Sequence, residues 1–188
     1  MSDLKNFVSL LTGTFNNQAQ LRELEARGVT GYPAARHVNT PINHLIDGLP
    51  TDFAGVFLLE ESDYTVGSRT NPMPHLFLFT QEPDGRVKLT SYDMPAGYTK
   101  ETFRAEKLGR LQYGDLVPSA KFTPALYEYK DGAWEGGSES MFTPVLKFKL
   151  WERFTPEVLE VSESMEMNGK RTFGYDVPIV YRRKAARG

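Results

Sequence analysis

The stretch VLEVSESMEMNGKRTFG, residues 158–174, decides the fold. Up to Met167, apolar and polar residues alternate, and this is the pattern of a half-buried β-strand. Asn168-Gly169 then predicts a tight hairpin turn, because both residue types accept the positive φ angles that such a turn needs. With the segments on either side, Leu146 to Arg183 is predicted to form three strands and two turns that close an antiparallel β-barrel.

The composition limits the classes of function. A chain of 188 residues fits a single barrel domain over 1–188, with an N-terminal helical segment at 1–28 and a basic tail at 184–188. The net charge of −2 gives no electrostatic case for binding nucleic acid or an anionic membrane. No run approaches the roughly 20 apolar residues of a membrane span. The chain has no cysteine and no signal-peptide pattern at its start, so we predict a cytoplasmic protein.

Turn signals and aromatic residues are spread along the chain, as expected for many short strands. Asp84-Gly85 and Asp131-Gly132 each lie between two β-type segments and predict two further hairpins. Consecutive strands joined by tight turns favour an up-and-down order. We therefore predict a mostly β protein, a lipocalin-like antiparallel barrel of about ten strands, with an N-terminal helix and one internal short helix over residues 98–110.

Several segments also match a known family in their order along the chain. Residues 11–20 combine a helix end with a Gly-x-Phe step, His37 lies in a short strand, and residues 57–64 form a strand that ends in glutamate and tyrosine. Residues 168–174 give a Gly-Lys, aromatic-Gly turn, and residues 181–183 an aromatic-Arg strand. In this order the segments resemble the T-type phycobiliprotein chromophore lyases (the CpcT/CpeT family). The resemblance implies a barrel that binds a linear tetrapyrrole, a bilin, and assists its attachment to a cysteine of a partner phycobiliprotein subunit.

Bilin chemistry suggests which residues would act. Such a barrel needs room for a long apolar body, a cation near its mouth for the propionates and a carboxylate inside for the pyrrole nitrogens. Glu60 and Glu61 are adjacent in a strand, so only one of them faces the interior. We predict Glu60 as the catalytic proton donor, with a pKa raised by burial. The predicted ligand-binding residues are His37, Glu61, Tyr64, Arg69, His75 and Tyr92.

Three functions remain open from the sequence. The first is the lyase-like barrel, the second a non-catalytic carrier of another hydrophobic small molecule, and the third a barrel filled by its own side chains. Asn71 to His75 contains no arginine where the lyase family has an Arg-containing segment, which favours the carrier. We predict no metal site, because the three histidines are widely spaced, and no cofactor other than bilin as a ligand. Exposed edge strands leave a homodimer open.

Overall fold

The computed structural model describes residues 3–184, and residues 185–188 of the predicted basic tail lie outside the described part. Two short helices, α1 (Leu4–Leu11) and α2 (Gln18–Ala26), flank strand β1 (Gly13–Asn16). The other strands are β2 (Ala34–Pro41), β3 (Ile46–Asp47), β4 (Val56–Val66), β5 (Arg69–Gln81), β6 (Val87–Tyr92), β7 (Leu111–Gln112), β8 (Ala125–Lys130), β9 (Ala133–Thr143), β10 (Leu146–Phe154), β11 (Val158–Met167), β12 (Lys170–Phe173) and β13 (Ile179–Arg183).

Ten of these strands close into one ring. Its order is β1-β2-β4-β5-β6-β8-β9-β10-β11-β13, every pair is antiparallel, and β13 returns to pair with β1. The order follows the chain, so the predicted up-and-down barrel is confirmed. Strand β12 extends the ring beside β11, and β3 and β7 form a separate parallel pair.

Two of the three predicted tight turns have the expected backbone, and in the third, Asp84-Gly85, only Gly85 has a positive φ. Asn168 and Gly169 have φ angles of 50° and 75°, and Asp131 and Gly132 have 51° and 81°. Two successive positive φ angles are the signature of a hairpin turn that matches the twist of the strands. Residues 146–183 contain four strands rather than the three predicted, because pairing beside β11 stops after β12 and resumes with β13.

One end of the barrel is filled by α1. Asp3 caps this helix by accepting a hydrogen bond of 2.8 Å from the backbone N–H of Asn6. Phe7 on α1 is completely buried, and its ring lies 4.9–5.1 Å from four aromatic rings, those of Phe79, Tyr127, Trp134 and Phe154. We call this part of the interior the filled half.

A second hydrophobic core lies outside the barrel. Phe57 and Leu59 point outward from β4 and are buried in the same cluster as Phe103 and Leu111, from the long segment between β6 and β8. Strand β4 is therefore apolar on both faces. Within this segment, residues 98–110 form only one turn of 3-10 helix, Ala105–Lys107, instead of the predicted helix. The reason is that the hydroxyls of Thr102 and Thr99 accept hydrogen bonds from the backbone N–H groups of Thr99 and Glu101, which favours turns over a continuous helix.

Candidate functional site

The half of the barrel away from α1 contains two adjoining cavities, of about 360 Å³ and about 210 Å³, which we call the first lobe and the second lobe. Met73, Glu163 and Phe173 line both lobes. The first lobe lies between the β4–β5 hairpin and the segment that joins β12 to β13, and its other lining includes Tyr64, Arg69, Asn71 and Tyr175. The second lobe is mainly aromatic and is lined by His75, Phe77, Phe122, Phe142 and Phe148. We call this region the open half.

An interruption in the barrel wall produces the first lobe. Strand β13 pairs with β11 at Val158–Val161, and β12 pairs with it at Met165–Met167. Residues 162–164 therefore face no strand on that side. Gly174 bends the chain away from β11 with a φ of +114°, and a Cβ added there would lie 2.7 Å from the carbonyl oxygen of Glu163. Only glycine fits this close approach without displacing the strand.

Polar side chains separate the filled half from the open half. Along β4 the inward residues run from Leu58 in the core through Glu60 to Tyr64 in the cavity. Along β10 they run from Phe154 in the core through Glu152 to Leu150 in the cavity. We call the side chains at this level, His37, Glu60, Glu152 and Tyr181, the polar floor.

His37 connects the members of the polar floor. Its Nδ1 lies 3.4 Å from Oε2 of Glu60, close enough for an ion pair although the geometry is not that of a hydrogen bond. Its Nε2 lies 2.9 Å from the hydroxyl of Tyr181 and 3.5 Å from that of Tyr64. Burial would lower the pKa of His37, but the charge of Glu60 more than offsets it, so the pKa is raised. This favours a charged imidazolium beside the Glu60 carboxylate.

The pKa of Glu60 is lowered, and not raised as we predicted for a proton donor. Burial acts to raise its pKa, but the surrounding groups, the charge of His37 first among them, hold the pKa at about 2. The hydroxyl of Ser62 also donates to its Oε1 over 2.9 Å. A group with this pKa is ionised at neutral pH, so Glu60 stabilises the charge of His37.

Two other carboxyl groups, Glu152 and Glu163, have the property that we predicted for Glu60. Burial, and next the charge of Glu60, raises the pKa of each to about 7. Glu152 accepts a hydrogen bond from the hydroxyl of Tyr127 within the polar floor. Glu163 faces the cavity. The sequence contained a signal for both glutamates, because each shares the inward face of an alternating strand with a buried apolar residue two positions away. These neighbours are Phe154 for Glu152 and Val161 for Glu163.

The other predicted site residues divide between the two faces of the barrel. His75 and Tyr64 face the cavity, and the exposed Arg69 lines its first lobe. Glu61 and Tyr92, predicted at the ligand, lie instead on the outer face of the barrel. Glu61 pairs with Arg104 at 3.5 Å, and the ring of Tyr92 packs on Phe57 at 5.1 Å. Both residues occupy the alternate strand positions whose side chains point away from the interior.

Comparisons with known proteins add no identity, since no protein-family model, characterised protein or solved structure matches this chain. Within residues 3–184, no three His, Asp or Glu side chains are arranged to hold a metal ion. No helix in the same range has the length and apolar character needed to cross a bilayer. The functional argument therefore depends on the cavity and on the side chains that line it.

Proposed function

We propose that this barrel is a carrier that binds an elongated, largely apolar small molecule in its two adjoining lobes. The observation that carries the proposal is the cavity itself, whose larger lobe of about 360 Å³ is within the usual range for small-molecule sites. Its walls combine aromatic and aliphatic side chains with a few polar groups, as ligand pockets do. A barrel filled by its own side chains would have no such space.

The cavity is suited to binding because the barrel forms it in advance. Phe77 and Phe148 line the second lobe from strands held in the closed ring, so a ligand need not order them. Each Å² of apolar surface that the ligand removes from water contributes about 25 cal/mol. Shape and apolar contact therefore account for affinity, and the polar groups select among ligands.

The test uses N-phenyl-1-naphthylamine, an uncharged apolar dye whose fluorescence rises when it leaves water. We expect the unaltered protein to bind it saturably. Met73→Trp should weaken binding, because Met73 lines both lobes and the larger indole would take up part of the space in them. Met141→Trp is the matched control, since Met141 is 54% exposed and lies outside both lobes. Equal dye binding by Met73→Trp and the unaltered protein would contradict the proposal.

Bilin binding is a second candidate, favoured by a specific pair of charged groups. Arg69 and Glu163 line the same lobe, and they offer a cation toward the mouth and a carboxyl group deeper inside. These are the groups that the propionates and the pyrrole nitrogens of a bilin require. Under this candidate the barrel holds the bilin in an extended form and assists its transfer to a cysteine of a phycobiliprotein subunit.

Absorption spectroscopy tests the second candidate. Phycocyanobilin mixed with the protein should give a red-shifted bound species, and Arg69→Gln should weaken its binding. Arg86→Gln is the control, because Arg86 is exposed in the β5–β6 turn and pairs with Asp84. Covalent transfer is then assayed with an acceptor subunit, by asking whether bilin stays attached after denaturation. Absence of a red-shifted species would remove this candidate and leave the carrier function in place.

A further inference from the structure

Glu163 is the interior carboxyl group that is best placed to meet a ligand. It points inward from β11 where the two lobes meet, and it lines both of them. Among the residues that the structure describes, no Lys, Arg or His forms an ion pair with it. Its neighbour Glu166, in contrast, lies on the outside and pairs with Lys149 at 2.8 Å.

The groups around Glu163 do not provide the missing positive charge. Arg69 lines the first lobe, but it is exposed and forms no ion pair with Glu163. His37 is already paired with Glu60. Burial, in the first place, lowers the pKa of His75, which favours its neutral form. The remaining titratable groups toward Glu163 are the hydroxyls of Tyr64 and Tyr181 and the carboxyl of Glu152. Three carboxyl groups therefore share this interior with one charged histidine.

We propose that Glu163 selects ligands that carry a protonated amine, which takes the place of the cation that the interior lacks. This inference rests on the proposed carrier function and names the ligand class of the same cavity. The ligand has an apolar body that occupies the aromatic lobe and an ammonium group that donates to the Glu163 carboxylate. A buried carboxylate gains from such a partner because the charge-assisted hydrogen bond replaces lost hydration. A neutral molecule of the same shape gains only the apolar contacts.

The experiment compares two probes that share one ring system. 1-Naphthylmethylamine is protonated at neutral pH, and 1-naphthylmethanol is neutral and nearly the same size. Dissociation constants are measured by isothermal titration calorimetry for the unaltered protein, Glu163→Gln and Glu166→Gln. We expect the unaltered protein to bind the amine about tenfold or more tighter than the alcohol, as a charged hydrogen bond would give. Glu163→Gln should bind both equally, and Glu166→Gln should keep the preference.

The same measurements separate the two levels of the proposal. Unchanged affinity of Glu163→Gln for the alcohol shows that the cavity of this variant is intact, so loss of the amine preference then supports the role of Glu163. Equal affinities in the unaltered protein, or a preference that survives in Glu163→Gln, would overturn the inference. The carrier function would still stand in that case, provided that Met73→Trp weakens dye binding. Absence of dye binding by the unaltered protein would overturn both.

Discussion

The filled half and the open half of this barrel are built from the same strands, but their interior side chains have different roles. In the filled half, α1 inserts Phe7 among four aromatic rings, and apolar side chains stabilise the fold by packing on one another. In the open half, no helix of residues 3–184 enters the barrel, the wall is interrupted beside β11, and apolar side chains face a cavity. Apolar surface left uncovered in this way contributes little to stability, and this difference points to a ligand.

The largest expected effect compares one phenylalanine from each half. Phe7→Ala should lower the free energy of unfolding by about 3–5 kcal/mol, because it leaves a cavity inside a fully packed cluster. Phe173→Ala should change it by only about 0.5 kcal/mol, since this side chain is 46% exposed at the cavity. Urea denaturation measures both. Similar losses for the two variants would mean that the open half is packed as tightly as the filled half.

The polar floor supplies the second prediction. His37→Gln removes the positive charge beside Glu60 and leaves a buried carboxylate without an ionic partner, which should cost about 3 kcal/mol. The double variant Glu60→Gln with His37→Gln should recover part of this loss, because no charge is then left unpaired. Chemical denaturation of the two single variants and the double variant gives the coupling energy. Losses that simply add would show that the two side chains do not act as a pair.

The sequence predicted the barrel because each strand carries its own local signal. Alternation and the Asn168-Gly169 turn are properties of neighbouring residues, so they can be recognised without knowing which distant segments are in contact. The inward parity of Glu163 was visible in the same alternation. Parity alone does not mark Glu163 as a site, because an isolated glutamate in a strand is usually solvated.

Other features depend on contacts between segments far apart in the chain. The parity of Glu60 and Glu61 could not be assigned from β4 alone, since that strand is apolar on both faces. The outward position of Glu61 depends on the segment between β6 and β8, which packs on the outer face of β4. Arg104 of this segment pairs with Asp63 at 2.6 Å and with Glu61 at 3.5 Å. The cavity likewise depends on where β12 and β13 stop pairing with β11, which involves three separate strands.

The third prediction uses pH to examine the polar floor. The pKa of Glu152 in the fold is about 7, above its ordinary value of 4.5. Between these two values the unfolded chain loses this proton first, so this group makes the fold less stable as pH rises. Glu152→Gln keeps an acceptor for Tyr127 and removes the titration. Its stability relative to the unaltered protein should therefore increase by about 3 kcal/mol from pH 4 to pH 8, at about 1.36 kcal/mol per pKa unit.

Urea midpoints across this pH range test the effect. A difference between Glu152→Gln and the unaltered protein that stays constant with pH would mean that Glu152 titrates as an exposed glutamate does. It would also mean that water reaches the polar floor, because hydration of the Glu152 carboxylate would keep its pKa near the ordinary value.

The smallest expected effect compares two hydroxyl groups at one nitrogen. Tyr181 and Tyr64 both approach Nε2 of His37, at 2.9 Å and 3.5 Å. Tyr181 is fully buried in the floor, so Tyr181→Phe leaves that nitrogen with a poorer partner and should cost about 1 kcal/mol. Tyr64 lines the cavity, and its longer contact adds little, so Tyr64→Phe should cost less than about 0.5 kcal/mol. Thermal denaturation measures the stability that each variant loses. A larger loss for Tyr64→Phe would mean that Tyr64 belongs to the polar floor and not to the open half.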